Sequence, residues 1–519
     1  MNLDLNSRLA GAIQSLPDRY KGPGGVVAVV KNGEAIVRHA WGYADAERRV
    51  TMSTKTAMPI CSLTKQFTCA VLLKAIGDPL QLAPALASYL PLFVDERPSI
   101  QNLYNMQSGL RDYCVLASLC GANPEGRFGK MDAWRLLSRM RSTHFIPGTQ
   151  YSYANSNFRI LADLIEDRTG RSLGELLATH IFEPALMESA AFRPDSSEYG
   201  ATCTGYEGNP DVGFTPAVNR SYWSGDAGIS ASLDDMIAWE RFIDATRGDP
   251  DGLYQRLAVP QTYSNGAPAA YGFGLFHGTT AGESITGHGG SLRGWRIRRS
   301  YAASERLSVI VMFNHHGDAH GAADLVMATA LNQGESRNDE SFPKATDTRH
   351  YLDDISGLSL SLTPVRGDRI VARFLDTPEM LSIVHGEVAR SESEVVSMTE
   401  DAVELERPSD NLRLRMRELL GPPQGDIEGR FHCSETDAYL TCVTAGGAMY
   451  GTFEGFLGKS PAQPMYAVGE NVWLLPCQRG LDSPGPGELT LAFKRNERGA
   501  VLGLTISCWM ARTVQYTKA

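Results

Sequence analysis

The run Ser62-Leu63-Thr64-Lys65 sets a hydroxyl and a primary amine three residues apart. On a helix, residues so spaced share one face, so the amine can lie beside the hydroxyl. A serine hydroxyl is a weak nucleophile until a base takes its proton. A lysine becomes such a base when burial or a neighbouring cation lowers its pKa. Backbone N–H groups at a helix start also favour the oxyanion of an acyl transfer. The spacing alone is not distinctive, because Ser341-Phe342-Pro343-Lys344 repeats it. That copy carries a helix-breaking proline and lies in a polar stretch, so it is set aside. What singles out Ser62 is the sequence downstream of it.

Tyr153-Ala154-Asn155 follows a Pro147-Gly148 turn and precedes a helical pattern starting near Phe158. A tyrosine there can relay a proton to a leaving group, and an asparagine amide can hold a substrate carbonyl. Tyr263-Ser264-Asn265 is a second copy, but Gly266 follows it and no helical pattern does. His288-Gly289-Gly290-Ser291 precedes a strand-like run through Trp295 and Ile297. Glycines there admit a substrate backbone, and a strand edge can dock an extended peptide. His315-His316-Gly317 matches loosely and reads as a turn after a buried strand.

The elements that must position these groups are legible in outline. GGVVAVVKNGEAIVRHAWGYAD (24–45) reads as a hairpin turning at Asn32-Gly33. A buried helix follows Ser62, and Ile160, Leu161, Leu164 and Ile165 repeat at helical spacing before Gly170. LSVIVMFN (307–314) suits a buried strand, so an antiparallel sheet flanked by helices is expected over 1–332. A polar, proline-containing linker is expected over 333–350. Short alternating strands fill the remainder. They read as two small antiparallel β-barrel domains, 351–420 and 421–519, giving a multidomain α+β protein. Asp354-Ile355-Ser356-Gly357-Leu358, echoed by Asp426-Ile427-Glu428-Gly429-Arg430, supports two units. One larger β-domain is the alternative.

Composition narrows the function classes. A net charge of -10 argues against nucleic-acid and anionic-membrane partners. No apolar stretch is long enough for a membrane span, and the start lacks the pattern of a signal peptide. Nine cysteines without a CxxC pair, and eleven histidines without HExxH, predict a cytoplasmic protein using neither metal nor cofactor.

Ser-x-x-Lys, Tyr-x-Asn and His-x-Gly in that order resemble the serine β-lactamase and penicillin-binding-protein superfamily. LYNMQSGLRDY (103–113), SGDAGISASLDDM (224–236) and GHGGSLRGW (287–295) extend the likeness over roughly residues 10–330. The resemblance implies a site between an all-helical lobe and the sheet. It implies Ser62 as nucleophile, Lys65 as base, Tyr153 in the proton relay, and the N–H groups of Ser62 and Ser291 as oxyanion hole. His288 takes the place of the usual lysine, with Asn155 and Gly290 at the substrate. A neutral imidazole anchors a carboxylate poorly, which argues against β-lactamase activity.

The layout with trailing β-domains is similar to the bacterial D-aminopeptidases. It implies release of N-terminal D-residues of the D-alanine type from peptides, amides and esters, by an enzyme expected to be a homodimer. It also implies that the Gly/Pro-rich stretch 477–487 enters the cleft. Asp482 is its only acid and the candidate for the substrate's amine, with Asp226 as runner-up. A cytoplasmic esterase or D-amino-acid amidase, and a penicillin-binding sensor, are the competing readings.

Overall fold

The computed structural model describes residues 5–94, 96–333, 348–375, 377–399, 402–422 and 425–519. Residues 334–347, which hold most of the expected linker and the Ser341–Lys344 copy, lie outside the described residues.

Gly24–Lys31 and Glu34–Asp45 form the hairpin, with Asn32 at φ 54° and Gly33 at φ 78° between them. Two successive left-handed residues are what a two-residue type I′ turn requires, and Asn-Gly adopts them readily. Gly24–Lys31 is the sixth strand of an eight-stranded antiparallel sheet. It pairs with Leu307–Phe313 on one side and Glu34–Asp45 on the other. Both of its faces are covered, which is why its apolar residues run on without alternation. Val27 and Val29 pack under the helices Leu5–Arg19 and Ala319–Ala330, and Val26, Ala28 and Val30 face the helical lobe.

The stretch from Arg349–Leu352 to Leu412–Glu418 closes into an eight-stranded barrel, Leu352 of the first strand pairing with Arg417 of the last. Its last strand alternates cleanly. Leu412, Leu414 and Met416 point inward, while Arg413, Arg415 and Arg417 point out. The barrel has a hydrophobic core of its own.

The last unit is a ten-stranded sheet. It curls until Gln463–Pro464 pairs with one end of the sheet and Tyr466–Gly469 with the other. The DISGL and DIEGR echo does not mark equivalent positions. Ile355 is 88% exposed in a turn after the first barrel strand, whereas Ile427 is fully buried before the strand Gly429–Cys433. The core of this last unit is continuous with that of the helical lobe. No single helix among the described residues is long and apolar enough to cross a membrane.

Candidate active site

Ser62 sits in a short 3₁₀ turn, Cys61–Leu63, that leads directly into the helix Thr64–Val71. Cys61 enters the turn at φ 51°, a left-handed conformation that costs a non-glycine residue about 1–2 kcal/mol. The neighbouring strand Glu283–Leu292 presses on this turn. A Cβ on Gly290 would stand 2.8 Å from the Cβ of Cys61 and 2.8 Å from the Ile60 carbonyl oxygen. Glycine at 290 therefore lets the strand and the Ser62 turn meet.

Lys65 Nζ donates to Ser62 Oγ at 3.1 Å, to Asn155 Oδ1 at 2.9 Å and to the Asp226 carbonyl oxygen at 2.7 Å. The side chain is wholly buried, and that desolvation brings its pKa down from 10.5 to about 8. The Asp226 and Asp112 carboxylates oppose the shift. From the other side, Tyr153 donates its phenol proton to Ser62 Oγ at 2.7 Å, and burial holds that phenol well above its usual pKa.

Two buried carboxylates hold the frame. Asp112 Oδ1 accepts from the Cys114 N–H at 2.8 Å, and its Oδ2 accepts from the Asn155 N–H at 2.5 Å. Asp226 Oδ1 accepts from the Ser224 and Ala227 N–H groups, and its Oδ2 from the Tyr113 hydroxyl at 2.5 Å. Desolvation raises the pKa of both acids, and these donors work against it.

His288 lies on the same strand as Gly290 and is held neutral. Burial, then the Lys65 charge, lowers its pKa to about 3. With Nδ1 bonded to the Gly289 carbonyl, Nδ1 carries the proton and Nε2 accepts from the Tyr271 hydroxyl at 3.1 Å. Its bonds suit an orienting, uncharged group. Leu275–Thr280 pairs with Glu283–Leu292 only as far as Gly287, so beyond that point this edge has no strand partner among the described residues. Ser62, Tyr153, Asn155, His288, Gly290 and Ser291 all line one cavity of about 840 Å³ along that edge.

The last unit supplies another wall of the cavity, through Gly480, Ser483, Pro484, Pro486 and Met510. The 477–487 stretch is not the long unstructured connection that its glycines and prolines suggest. Val472–Arg479 and Pro484–Arg495 are strands of one hairpin, paired out to Arg479 and Pro484. The second strand meets its other neighbour only from Thr490 onward. Pro484 and Pro486 thus occupy an edge, where a missing N–H breaks no ladder.

Asp482 corrects the sequence expectation. It is 1% exposed and does not line the cavity. Its carboxylate accepts from the Ser196 hydroxyl, from the Ser221 and Arg220 N–H groups at 3.0 and 3.2 Å, and from the Trp223 indole. Arg293 grips the same tip, donating from Nη2 to the Gly480 and Leu481 carbonyls at 2.9 and 2.6 Å. Asp482 thus fastens the tip to the catalytic domain. Asp226, the runner-up, does line the cavity.

A family profile described as Beta-lactamase matches residues 9–332, and one described as D-aminopeptidase, domain B, matches 343–517. The D-aminopeptidase of Brucella canis is 52% identical over 517 residues, covering 100% of this chain and 99% of that protein. The chain belongs to the D-aminopeptidase family. The D-aminopeptidase of Brucella anthropi is likewise 52% identical, over 99% of this chain and 98% of its own length. Among solved structures, the octameric penicillin-binding protein homologue from Pyrococcus abyssi aligns with a TM-score of 0.54 at 18% identity, covering 80% of this chain and 100% of its own. The D-amino acid amidase of Ochrobactrum anthropi SV3 aligns with a TM-score of 0.53 at 17% identity, over 63% of this chain and 99% of its own. At those identities the likeness is one of fold.

Seen as a D-aminopeptidase family site, the cavity and the structure that supports it hold groups that sequence reading passed over. Asp112, Tyr113 and Arg293 lie inside the segments that carried the resemblance, yet nothing local marks them. Their partners are 43 residues away or more: Asn155 for Asp112, Asp226 for Tyr113, Gly480 for Arg293. The rejected copies also have explanations. Tyr263 closes a turn with Gly266 and donates to the Ser409 carbonyl of the barrel at 2.7 Å.

Proposed function

We propose that the chain releases N-terminal D-residues of the D-alanine type from peptides, amides and esters, through an acyl-enzyme on Ser62. One observation carries this reading. The amine of Lys65 and the phenol of Tyr153 converge on a single Ser62 oxygen, in a cavity closed partly by the family's C-terminal unit.

Neutral Lys65 takes the Ser62 proton as Oγ bonds to the substrate carbonyl carbon. The carbonyl's π pair moves to its oxygen, which the N–H groups of Ser62 and Ser291 stabilise. Collapse breaks the C–N bond, and the proton returns through Tyr153 to the leaving nitrogen. Water then hydrolyses the Ser62 ester by the reverse relay. The Asn155 amide and the open face at Gly290 flank the bound carbonyl. His288, neutral and bonded to Tyr271, shapes the leaving-group side without taking a charge. The substrate ammonium belongs at the end walled by Ser483 and Pro484, near Asp226, with Asp482 acting by holding that wall in place.

All nine cysteines are unpaired, eight of them buried, which supports a reducing, cytoplasmic setting. The expected homodimer is tested separately, by sedimentation, because no step above uses a second copy.

The test compares p-nitroanilides of D-Ala, L-Ala and N-acetyl-D-Ala. Cleavage of D-Ala anilide alone is expected, and Ser62→Ala should lower kcat by about 10³-fold or more. Efficient cleavage of the acetylated compound would move the reading to an esterase or amidase. The pH profile adds a check on Lys65. Its neutral form is the base, so kcat/KM rises with pH toward about 8. The substrate must keep its ammonium, whose pKa is about 7.7–8.0, so the rate falls again above that. A profile level from pH 6 to 9 would remove Lys65 from its role.

A further inference from the structure

The second intrusion of the last unit into the site is the hairpin bend at Trp509-Met510, between Val501–Cys508 and Ala511–Lys518. It is stitched to both segments that carry the catalytic groups. On one side the Met510 carbonyl accepts from the Asp112 N–H at 2.9 Å, and the Arg512 carbonyl accepts from Arg111 Nε at 3.1 Å. On the other side the Trp509 carbonyl accepts from Ser152 Oγ at 3.2 Å, and Arg512 Nη1 donates to Gln150 at 2.9 Å. Ser152 immediately precedes Tyr153, and Asp112 holds the backbone N–H of Asn155, whose side chain accepts from Lys65.

The bend is seated in turn by the barrel. Trp509 packs against the barrel core, edge-on to Phe374 at 5.9 Å between centroids, with Arg407 5.9 Å from the centre of its ring. Arg512 covers that ring at 4.6 Å. The loop that follows Arg407 reaches the same catalytic segment, since the Asp410 carbonyl accepts from the Tyr151 N–H at 3.0 Å.

We propose that the Trp509-Met510 bend is a positioning device for the reaction, acting through Asp112 and Asn155 on Lys65, and that the barrel serves the chemistry by seating Trp509. Trp509 and Asp112 are then positioning residues. The barrel, none of whose described residues lines the cavity, gains a role as the footing of the bend. The proposal rests on the reading of Ser62 and Lys65 given above.

The test uses the full-length protein with Trp509→Ala, Trp509→Phe and Ser152→Ala, assayed on D-Ala-p-nitroanilide across pH, with near-UV circular dichroism to establish folding. Trp509→Ala is expected to lower kcat about tenfold or more while KM moves less than about threefold. Water admitted around Lys65 would relieve its desolvation, so the rising limb of the profile shifts upward from about 8. Trp509→Phe, which keeps an aromatic seat, should recover most of the rate and the original limb. Ser152→Ala should shift the limb in the same direction by a smaller amount. If Trp509→Ala does not fold, Ser152→Ala decides the matter. A folded Trp509→Ala with wild-type kcat and an unmoved limb, or in its absence an unmoved limb in Ser152→Ala, overturns the proposal. An active Ser62→Ala control would instead overturn the underlying assignment of the nucleophile.

Discussion

The two β-units that trail the catalytic domain are built from similar short strands and relate to it in opposite ways. The barrel closes on itself around a core of its own, against which Trp509 packs from outside; the last unit leaves its core open to the helical lobe. Phe431, Leu440 and Phe453 of the last unit belong to the same cluster as Leu116, Leu119 and Leu137 of the lobe. The contact is close. A Cβ on Gly121 would stand 2.3 Å from the Gly458 carbonyl oxygen, and Arg135 lies 4.0 Å over the Phe456 ring. A unit that shares its core with the catalytic lobe has a fixed orientation. It can therefore hold a wall of the active site, which a separately folded unit on a linker could not.

The sharpest way to break this contrast is to remove what the last unit puts into the cleft. Excising the tip 480–483 and closing the hairpin between Arg479 and Pro484 with a two-residue Asn-Gly turn keeps the strands paired. We expect kcat/KM on D-Ala-p-nitroanilide to fall about 100-fold, in line with losing a substrate-positioning wall. Labelling of Ser62 by a fluorescent penicillin should persist or improve. Wild-type kinetics in that variant would reduce the tip to a structural contact.

A second comparison sets one core against the other. Leu405→Ala in the barrel and Leu440→Ala in the last unit each remove a fully buried side chain, which costs about 2–5 kcal/mol. Leu405→Ala should melt the barrel in a separate, earlier transition and leave kcat/KM at 25 °C within about threefold, provided the barrel is still folded. Leu440→Ala should bring down the catalytic domain in the same transition. Calorimetry separates the outcomes, and a single shared transition in both variants would erase the distinction.

A milder loss of activity than that from excising the tip is expected at Asp482. Asp482→Asn keeps shape but gives up acceptor capacity toward Ser196 and the Ser221 N–H, a charge-assisted set worth about 1.5–3 kcal/mol per bond. The tip should loosen, lowering kcat/KM about tenfold. Direct amine recognition by this carboxylate would instead appear as a rise in KM for free-amine substrates alone. A loss carried by kcat, with KM unchanged, supports the fastening role.

These contrasts also explain what could be read beforehand. Ser62, Lys65 and Tyr153 were picked out by short motifs taken in order and by the resemblance they carry, and the Asn32-Gly33 hairpin was legible from turn chemistry. The closed barrel followed from regular alternation in strands such as Leu412–Glu418. The 477–487 stretch misled because glycine and proline usually signal irregular chain, whereas at an unpaired strand edge they are permitted. Asp482 misled for a different reason. It is an isolated acid in a loop, and its four donors come from residues 196 to 223, a neighbourhood that only the fold creates. Asp112 and Arg293 were passed over on the same ground.

Arg293 has one further consequence. It occupies the bend immediately after Ser291-Leu292, and it grips the Gly480 and Leu481 carbonyls while its own N–H donates to the Asp482 carbonyl at 2.5 Å. The tip that walls the cavity and the strand end that carries Ser291 are therefore tied by one side chain. On the function proposed above, an oversized ligand that lifts the tip would also tug on that strand, whose Ser291 N–H is assigned to the oxyanion. Size would then be read at the chemical step as well as in binding.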